Sequence, residues 1–301
     1  MIHKFVWFDN EVMPVGMANI SPLSVSARYG LTVFDTIRGY ASKHKNKLLL
    51  FRVNDHINRL HNSALELELP LKLSNQDIKD AIFSTLEANE CESDVYIRID
   101  ALVTENESWH SINATKLLIS IHDNSTKISL DEKVKTANFS SWKRISNEQM
   151  PPSVKVGANY INSRYAFLES KRLKFDLPIL LNIQGKVAES SGANIMIVKN
   201  KELVTPSCES QILDGITRNS LIHLAKKNNI KVQERQVMPM ELLEADEVFF
   251  CGTSIEIAPV VCIDNQIIGS GMVGPMTRIL NDLYFEAVRD LSSESEWISF
   301  R

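Results

Sequence analysis

The apolar residues of this chain change their period along its length, and that change restricts the fold more than any other feature. TVFDTIRGY (32–40) and VYIRIDA (95–101) alternate with period two, as strands do. HINRLHNSALELEL instead places Ile57, Leu60, Ala64 and Leu67 on one helical stripe, and IKDAIFSTLEA repeats that stripe with Ile78, Ile82 and Leu86. KFVWFDNEV reads as an opening hairpin strand and TKLLISI as a further strand. Interleaved strands and helices of this kind predict an α/β (α+β) chain.

The polar stretch HDNSTKISLDEK has no apolar face and reads as a connector. Beyond it lie the strands PILLNIQ, ANIMIV and EVFFC, the turn dipeptides Gln184-Gly185 and Lys199-Asn200, and helices over 216–228 and 275–290. A length of 301 residues suits two cores. The expected division is a small α/β domain over 1–122, a linker over 123–132 and a larger domain over 133–301.

Composition excludes several classes. With 44% apolar and 23% charged residues the chain is ordinary globular material. A formal net charge of −4 with no basic block argues against nucleic acid as a partner. No apolar run approaches the roughly 18 residues of a membrane helix, and MIHKFVWFDNEV carries charges where a signal peptide needs an apolar centre. Cys91, Cys208, Cys251 and Cys262 are scattered, with neither a C-x-x-C pair nor metal-ligand spacing. The expectation is a soluble cytoplasmic protein without a metal centre.

Period two also sorts side chains by face. Val33, Asp35 and Ile37 point one way; Phe34, Thr36, Arg38 and Tyr40 point the other. In VYIRIDA, Val95, Ile97 and Ile99 form an apolar row, opposite Tyr96, Arg98 and Asp100. Each strand thus presents an aromatic-plus-arginine face. Such a face is either a solvated exterior or a wall that recognises a carboxylate through the planar donors of arginine.

Four stretches carry candidate chemistry. In SVKVGANYIN, Lys155 stands in uncharged company, followed by Gly157 and Ala158, whose size lets the backbone approach a neighbour. In KVAESSGANIMIV, Glu189 sits before a Ser-Ser-Gly turn, either as an exposed turn residue or as a carboxylate aimed at a cation. ILDGITRNSLI opens a helix whose first N–H groups suit an anion, unless Thr217 merely caps it. EVFFCGTSIEIAPV runs a buried strand into Gly-Thr-Ser, a second place for N–H groups and a hydroxyl to converge on an anion. A lysine, a carboxylate and two anion cups are the parts that pyridoxal 5′-phosphate requires for its aldehyde, pyridine nitrogen and phosphate.

The motifs YGLTVFDTIRGY, INRLHNSA, YIR, KVGANYINS, VAESSGANIMIV, ILDGITRNSLI, ADEVFFCGTSIEIAPV and GPMTRIL resemble, in content and order, those of the class IV aminotransferases, the fold-type IV pyridoxal phosphate enzymes. The resemblance spans roughly residues 5 to 285, and within the family it is strongest to the branched-chain amino acid aminotransferases. It implies two domains with the site between them. Lys155 matches the lysine that forms the Schiff base and moves the proton, and a lysine used in this way is expected to be largely buried and deprotonated. Tyr160 matches the partner of the cofactor's phenolic oxygen, and Glu189 the partner of its pyridinium nitrogen. Arg59, Ile216, Thr217 and Thr253 match the phosphate cup. Thr253 and Ser254 would also meet the substrate α-carboxylate, with Tyr96 nearby. Tyr29, Phe34, Arg38 and Arg98 match substrate-pocket residues, Arg98 being the receiver of a distal carboxylate. The implied reaction is ping-pong transfer of an amino group from a branched-chain or similar apolar L-amino acid to 2-oxoglutarate. The implied assembly is a homo-oligomer, at least a dimer.

The chain departs from the family pattern in three places. It has Phe34-Asp35-Thr36-Ile37-Arg38 where F-E-G-I-R is usual, and ESSGANI where E-G-x-G-x-N is usual. IHDNSTK stands where an aromatic-rich segment normally follows the last strand of the small domain, which leaves Trp109 as the aromatic that could supply a wall. Threonine at position 36 also occurs in aminodeoxychorismate lyases. A lyase, a D-amino acid aminotransferase and a non-catalytic binding relative are therefore the alternatives to an aminotransferase of the branched-chain type.

Overall fold

In a computed structural model, the protein is described over residues 2–42, 47–106, 108–110, 112, 115–124, 128–289 and 295–300. In chain order the elements begin β1 (Phe5–Phe8), β2 (Glu11–Pro14), α1 (Val25–Tyr29), β3 (Thr32–Ala41), β4 (Leu48–Phe51), α2 (Val53–Glu66), α3 (Asn75–Ala88), β5 (Val95–Leu102) and β6 (Lys116–Asp123). They continue with β7 (Lys135–Lys143), α4 (Tyr160–Arg172), β8 (Leu177–Leu181), β9 (Asn194–Lys199), β10 (Glu202–Pro206), α5 (Ile216–Lys227) and β11 (Val232–Arg235). The last are α6 (Pro239–Leu243), β12 (Glu247–Gly252), β13 (Glu256–Ile263), β14 (Gln266–Ile267), α7 (Pro275–Arg289) and β15 (Ile298–Ser299). Among the described residues no helix is long and apolar enough to cross a membrane. Ser125, Thr126 and Lys127 of the expected linker, and Asp290 at the expected end of the last helix, lie outside the described residues.

The chain forms two compact units. The first comprises Met1–Thr126, Val154–Ala158 and Glu286–Arg301. Its seven-stranded sheet runs β15-β4-β3-β5-β6-β1-β2, with every neighbouring pair antiparallel. The opening hairpin turns on Asp9 and Asn10, both at positive φ, which matches the twist of a two-residue turn. The apolar rows read from the sequence meet the two helical stripes. Val33, Ile37, Val95, Ile97 and Ile99 share one core with Ile57, Leu60 and Ala64 of α2 and Ile78, Ile82 and Leu86 of α3. Each Val, Leu or Ile side chain among them contributes about 1.5–3 kcal/mol by leaving water. α3 is held at its start by a capping box between Ser74 and Asp77.

The second unit comprises Lys127–Ser153 and Asn159–Phe285. Its sheet is mixed, in the order β11-β10-β9-β12-β13-β7-β8, with β14 added to β13. β10–β11, β13–β7 and β7–β8 are parallel, and β9, β12 and β13 form the antiparallel centre. ANIMIV and EVFFC become β9 and β12, whose Ile195, Ile197, Val248 and Phe250 lie in the core. The turn expected at Lys199-Asn200 falls one residue later. β9 keeps Lys199, and Asn200 and Lys201 take the positive φ values that a two-residue hairpin demands.

Candidate active site

Two clusters of site residues form, one in each unit. In the first unit the register settles what the alternation left open. Phe34 lies opposite Asp100, Thr36 opposite Arg98 and Arg38 opposite Tyr96. The next strand adds Leu118, Ser120 and His122 opposite Asp100, Arg98 and Tyr96. The aromatic-plus-arginine faces of β3 and β5 are therefore one surface. It is not a solvated exterior, because Phe34, Thr36, Arg38 and Tyr40 are all buried. The Arg98 guanidinium lies 4.0 Å over the Phe34 ring, and Arg38 stands 6.0 Å from the Tyr96 ring.

Lys155 is stitched to this sheet through its backbone. Its carbonyl accepts from the Phe34 N–H at 3.0 Å and its N–H donates to Ser63 Oγ at 3.1 Å. Val156 bridges Val33, and the Ala158 N–H donates to the Gly30 carbonyl at 3.2 Å. A Cβ on Gly157 would stand 3.1 Å from that same carbonyl, which is why a small residue follows the lysine. Lys155 is 8% exposed, with Nζ 4.6 Å from the centre of the Phe34 ring. Tyr29 ends α1 and is 43% exposed, and its hydroxyl accepts from Arg28 at 2.9 Å. Trp109 is an exposed residue packed edge-on against His110.

Arg59 projects from α2 onto Asp35, donating from Nε and Nη2 at 2.8 Å each. His56, one helical turn earlier, meets the same carboxylate through Nδ1 at 2.8 Å. Burial alone would raise the Asp35 carboxyl, but the Arg59 and His56 beside it hold it well below the usual carboxylate range. An ionised Asp35 only accepts, so Nδ1 of His56 carries the proton. Burial lowers His56 from its ordinary value of 6.5, against Asp35 and with Arg59 and Lys155. The unfolded chain therefore takes up a proton near pH 6.5 that the folded chain refuses, so this contribution is complete above that pH and declines as pH falls. We expect the unfolding free energy of the wild type, measured by urea titration, to drop between pH 7.5 and 5.5, by up to about 1.4 kcal/mol per pH unit from this group. His56→Asn, which keeps a donor for Asp35, should show a shallower decline. Equal slopes for the two proteins would reject the assignment.

In the second unit Glu189 is buried, not an exposed turn residue. Its Oε1 accepts from Arg144 Nε at 2.8 Å and from the Leu213 N–H at 3.2 Å, and its Oε2 accepts from Asn194 Nδ2 at 3.0 Å. Asn194 also donates to the Leu213 carbonyl, which ties the carboxylate to the entry of α5. That helix is capped by Gly215, with no side-chain cap bond, and Thr217 lies buried inside its first turn. The cap reading of Thr217 thus gives way. Gly215 is obligatory for space, since a Cβ there would stand 1.9 Å from Asn194 Oδ1. β12 and β13 pair as far as Gly252 and Glu256, leaving Thr253 and Ser254 in the tight turn between them. Gly252 faces the loop at Gly192 and Ala193, so this turn and the Glu189 segment are neighbours. Tyr160 opens α4 and is half-buried. Arg144 Nη1 is buried and makes no hydrogen bond among the described residues.

Asp35, His56, Ser63, Arg144 and Asn194, which orient the expected site residues, were absent from the sequence reading of the site. Asp35 alone left a signal, as a charge in an apolar row.

Residues 32–263 match the model of the family described as amino-transferase class IV. A probable branched-chain-amino-acid aminotransferase of Aquifex aeolicus is 36% identical over 98% of this chain and 96% of its own length. The branched-chain-amino-acid aminotransferase of Escherichia coli is 32% identical over 93% and 92%. Among solved structures, the branched-chain aminotransferase of Thermoproteus uzoniensis with norvaline superposes with a TM-score of 0.93, at 31% identity over 99% of both chains. The branched-chain amino acid aminotransferase from Thermobaculum terrenum in its PLP form does so at 0.92, with 33% identity over 99% and 98%.

Proposed function

This chain belongs to the class IV aminotransferases, and from that premise we propose that it moves the amino group of a branched-chain or similar apolar L-amino acid to 2-oxoglutarate. The observation that carries the substrate reading is the Arg98 guanidinium stacked on Phe34, because such a surface offers an apolar ring and a cation to the same side chain. The related proteins bear branched-chain names, and of the two solved structures one holds norvaline and the other is in its PLP form.

The residues fit pyridoxal 5′-phosphate. Lys155 is buried, Glu189 is paired with a guanidinium that compensates its charge, the α5 entry has no side-chain cap, and Arg144 Nη1 is a buried donor left for a bound acceptor. When bound, the cofactor supplies an aldehyde for the amino group and a ring that accepts electrons from the substrate Cα. Lys155 would hold it through Nζ and carry the proton at the substrate Cα. Glu189 would face its pyridine nitrogen and Tyr160 its phenolic oxygen. Arg59, kept in place by Asp35 and His56, would take the phosphate with Ile216, Thr217 and Thr253. Thr253, Ser254 and Tyr96 would orient the α-carboxylate, and Tyr29, Phe34, Arg38 and Arg98 would surround the side chain. The same reading describes a cytoplasmic protein and a homo-oligomer, at least a dimer, to be checked by light scattering.

The cofactor-loaded enzyme should release close to one equivalent of 4-methyl-2-oxopentanoate per subunit from L-leucine alone, and continue only when 2-oxoglutarate is added. No oxo acid from L-leucine would overturn the branched-chain reading. D-alanine and aminodeoxychorismate are the substrates to try next.

A further inference from the structure

A substrate pocket that must accept both an apolar side chain and a carboxylated one meets conflicting demands. A lone guanidinium attracts the second and penalises the first, because an apolar group laid against it strips water from a charge without replacing it. The first unit holds a device suited to that conflict. Asp100 follows Arg98 by two residues on β5 and shares its face. Its carboxylate takes the Nε–H of Arg98 at 2.9 Å on both oxygens, and Nη2 at 2.8 Å on Oδ1. Asp100 is buried, whereas the Arg98 side chain keeps 36% of its surface.

The guanidinium is a flat group with two usable edges. Asp100 occupies the side edge formed by Nε and Nη2, and Phe34 covers one face at 4.0 Å. The end edge formed by Nη1 and Nη2 is the one a second carboxylate can address. Such a carboxylate would meet a neutral pair instead of a full positive charge, and an apolar side chain would meet a cation whose charge is already compensated.

We propose that Asp100 is a specificity-determining residue that tempers Arg98, weakening the hold on a dicarboxylate substrate and admitting an apolar side chain to the same surface. In the sequence Asp100 lies on the face of Arg98 and matches none of the roles that the family resemblance implies. This inference rests on the reading of Arg98 as the receiver of the distal carboxylate, and the experiment separates the two.

Steady-state kinetics of the cofactor-loaded enzyme are measured with L-leucine and 2-oxoglutarate, for the wild type, Asp100→Asn and Arg98→Gln. Asp100→Asn keeps the shape and removes the charge. Its KM for 2-oxoglutarate should fall about tenfold while its KM for L-leucine rises, a split that general loosening of the strand cannot produce. Asp100→Thr, which suits a strand, serves if the asparagine variant does not fold. A raised or unchanged KM for 2-oxoglutarate in the Asp100 variants, with Arg98→Gln impaired towards it, would overturn the inference and leave Asp100 as a prop for Arg98. If Arg98→Gln binds 2-oxoglutarate as the wild type does, the assignment of Arg98 fails first and takes the inference with it.

Discussion

Lys155→Ala should lose at least about four orders of magnitude in transamination while keeping its fold. General acid–base transfer alone accounts for roughly 10²–10⁴, and the variant also loses its covalent attachment point. The fold should survive because the bonds that place this residue come from its backbone. The Phe34 N–H donates to its carbonyl, its own N–H donates to Ser63 Oγ, and Val156 bridges Val33. Alanine keeps all of these. What the variant loses lies in the lysine side chain, its contact with the Phe34 ring included, and the melting temperature should move by less than about 3 °C. Activity above a tenth of the wild-type value would remove Lys155 from the chemistry. A collapse of the melting temperature would instead give it a structural role.

The rows and stripes of the first unit were legible because periodicity reports which face a residue occupies. Val33 and Ile37 reach the α2–α3 core, and Phe34 and Arg38 share the opposite face of their strand, as alternation predicts; only the register joins that face to Tyr96 and Arg98. Periodicity says nothing about which distant group meets that face. Asp35 falls in an apolar row, where a charge is costly, yet only α2 supplies the Arg59 and His56 that compensate it. Arg144 and Glu189 are 45 residues apart, and no local rule joins them. At the α5 entry the sequence leaves two readings open, because a threonine near a helix start also suits a cap. Only the fold decides, placing Gly215 at the N-cap with no side-chain cap bond and no space for a Cβ beside Asn194 Oδ1. The aminotransferase reading came from the order of eight motifs, since each of them singly also has a structural explanation.

The Arg144–Glu189 pair carries the other large expected effect, and it tests whether that carboxylate is held for chemistry or for stability. Both partners are buried, with side chains 8% and 6% exposed. Arg144→Met removes the buried guanidinium that compensates the Glu189 carboxylate, so the variant should lose about 3–5 kcal/mol by urea unfolding. Glu189→Gln strands the guanidinium in the same way, and it keeps a carbonyl oxygen for the Leu213 N–H but cannot carry charge. The double variant Arg144→Met, Glu189→Gln removes both charges together. A buried pair replaced as a unit is often neutral for stability, so the double variant should recover most of the loss. Transamination should stay low in every protein that lacks Glu189, because a neutral amide cannot keep a proton on a pyridine nitrogen. Stability would then return without activity. If activity returned with stability, the carboxylate would be a packing element, and the residue facing the pyridine nitrogen would have to be sought elsewhere in the second unit.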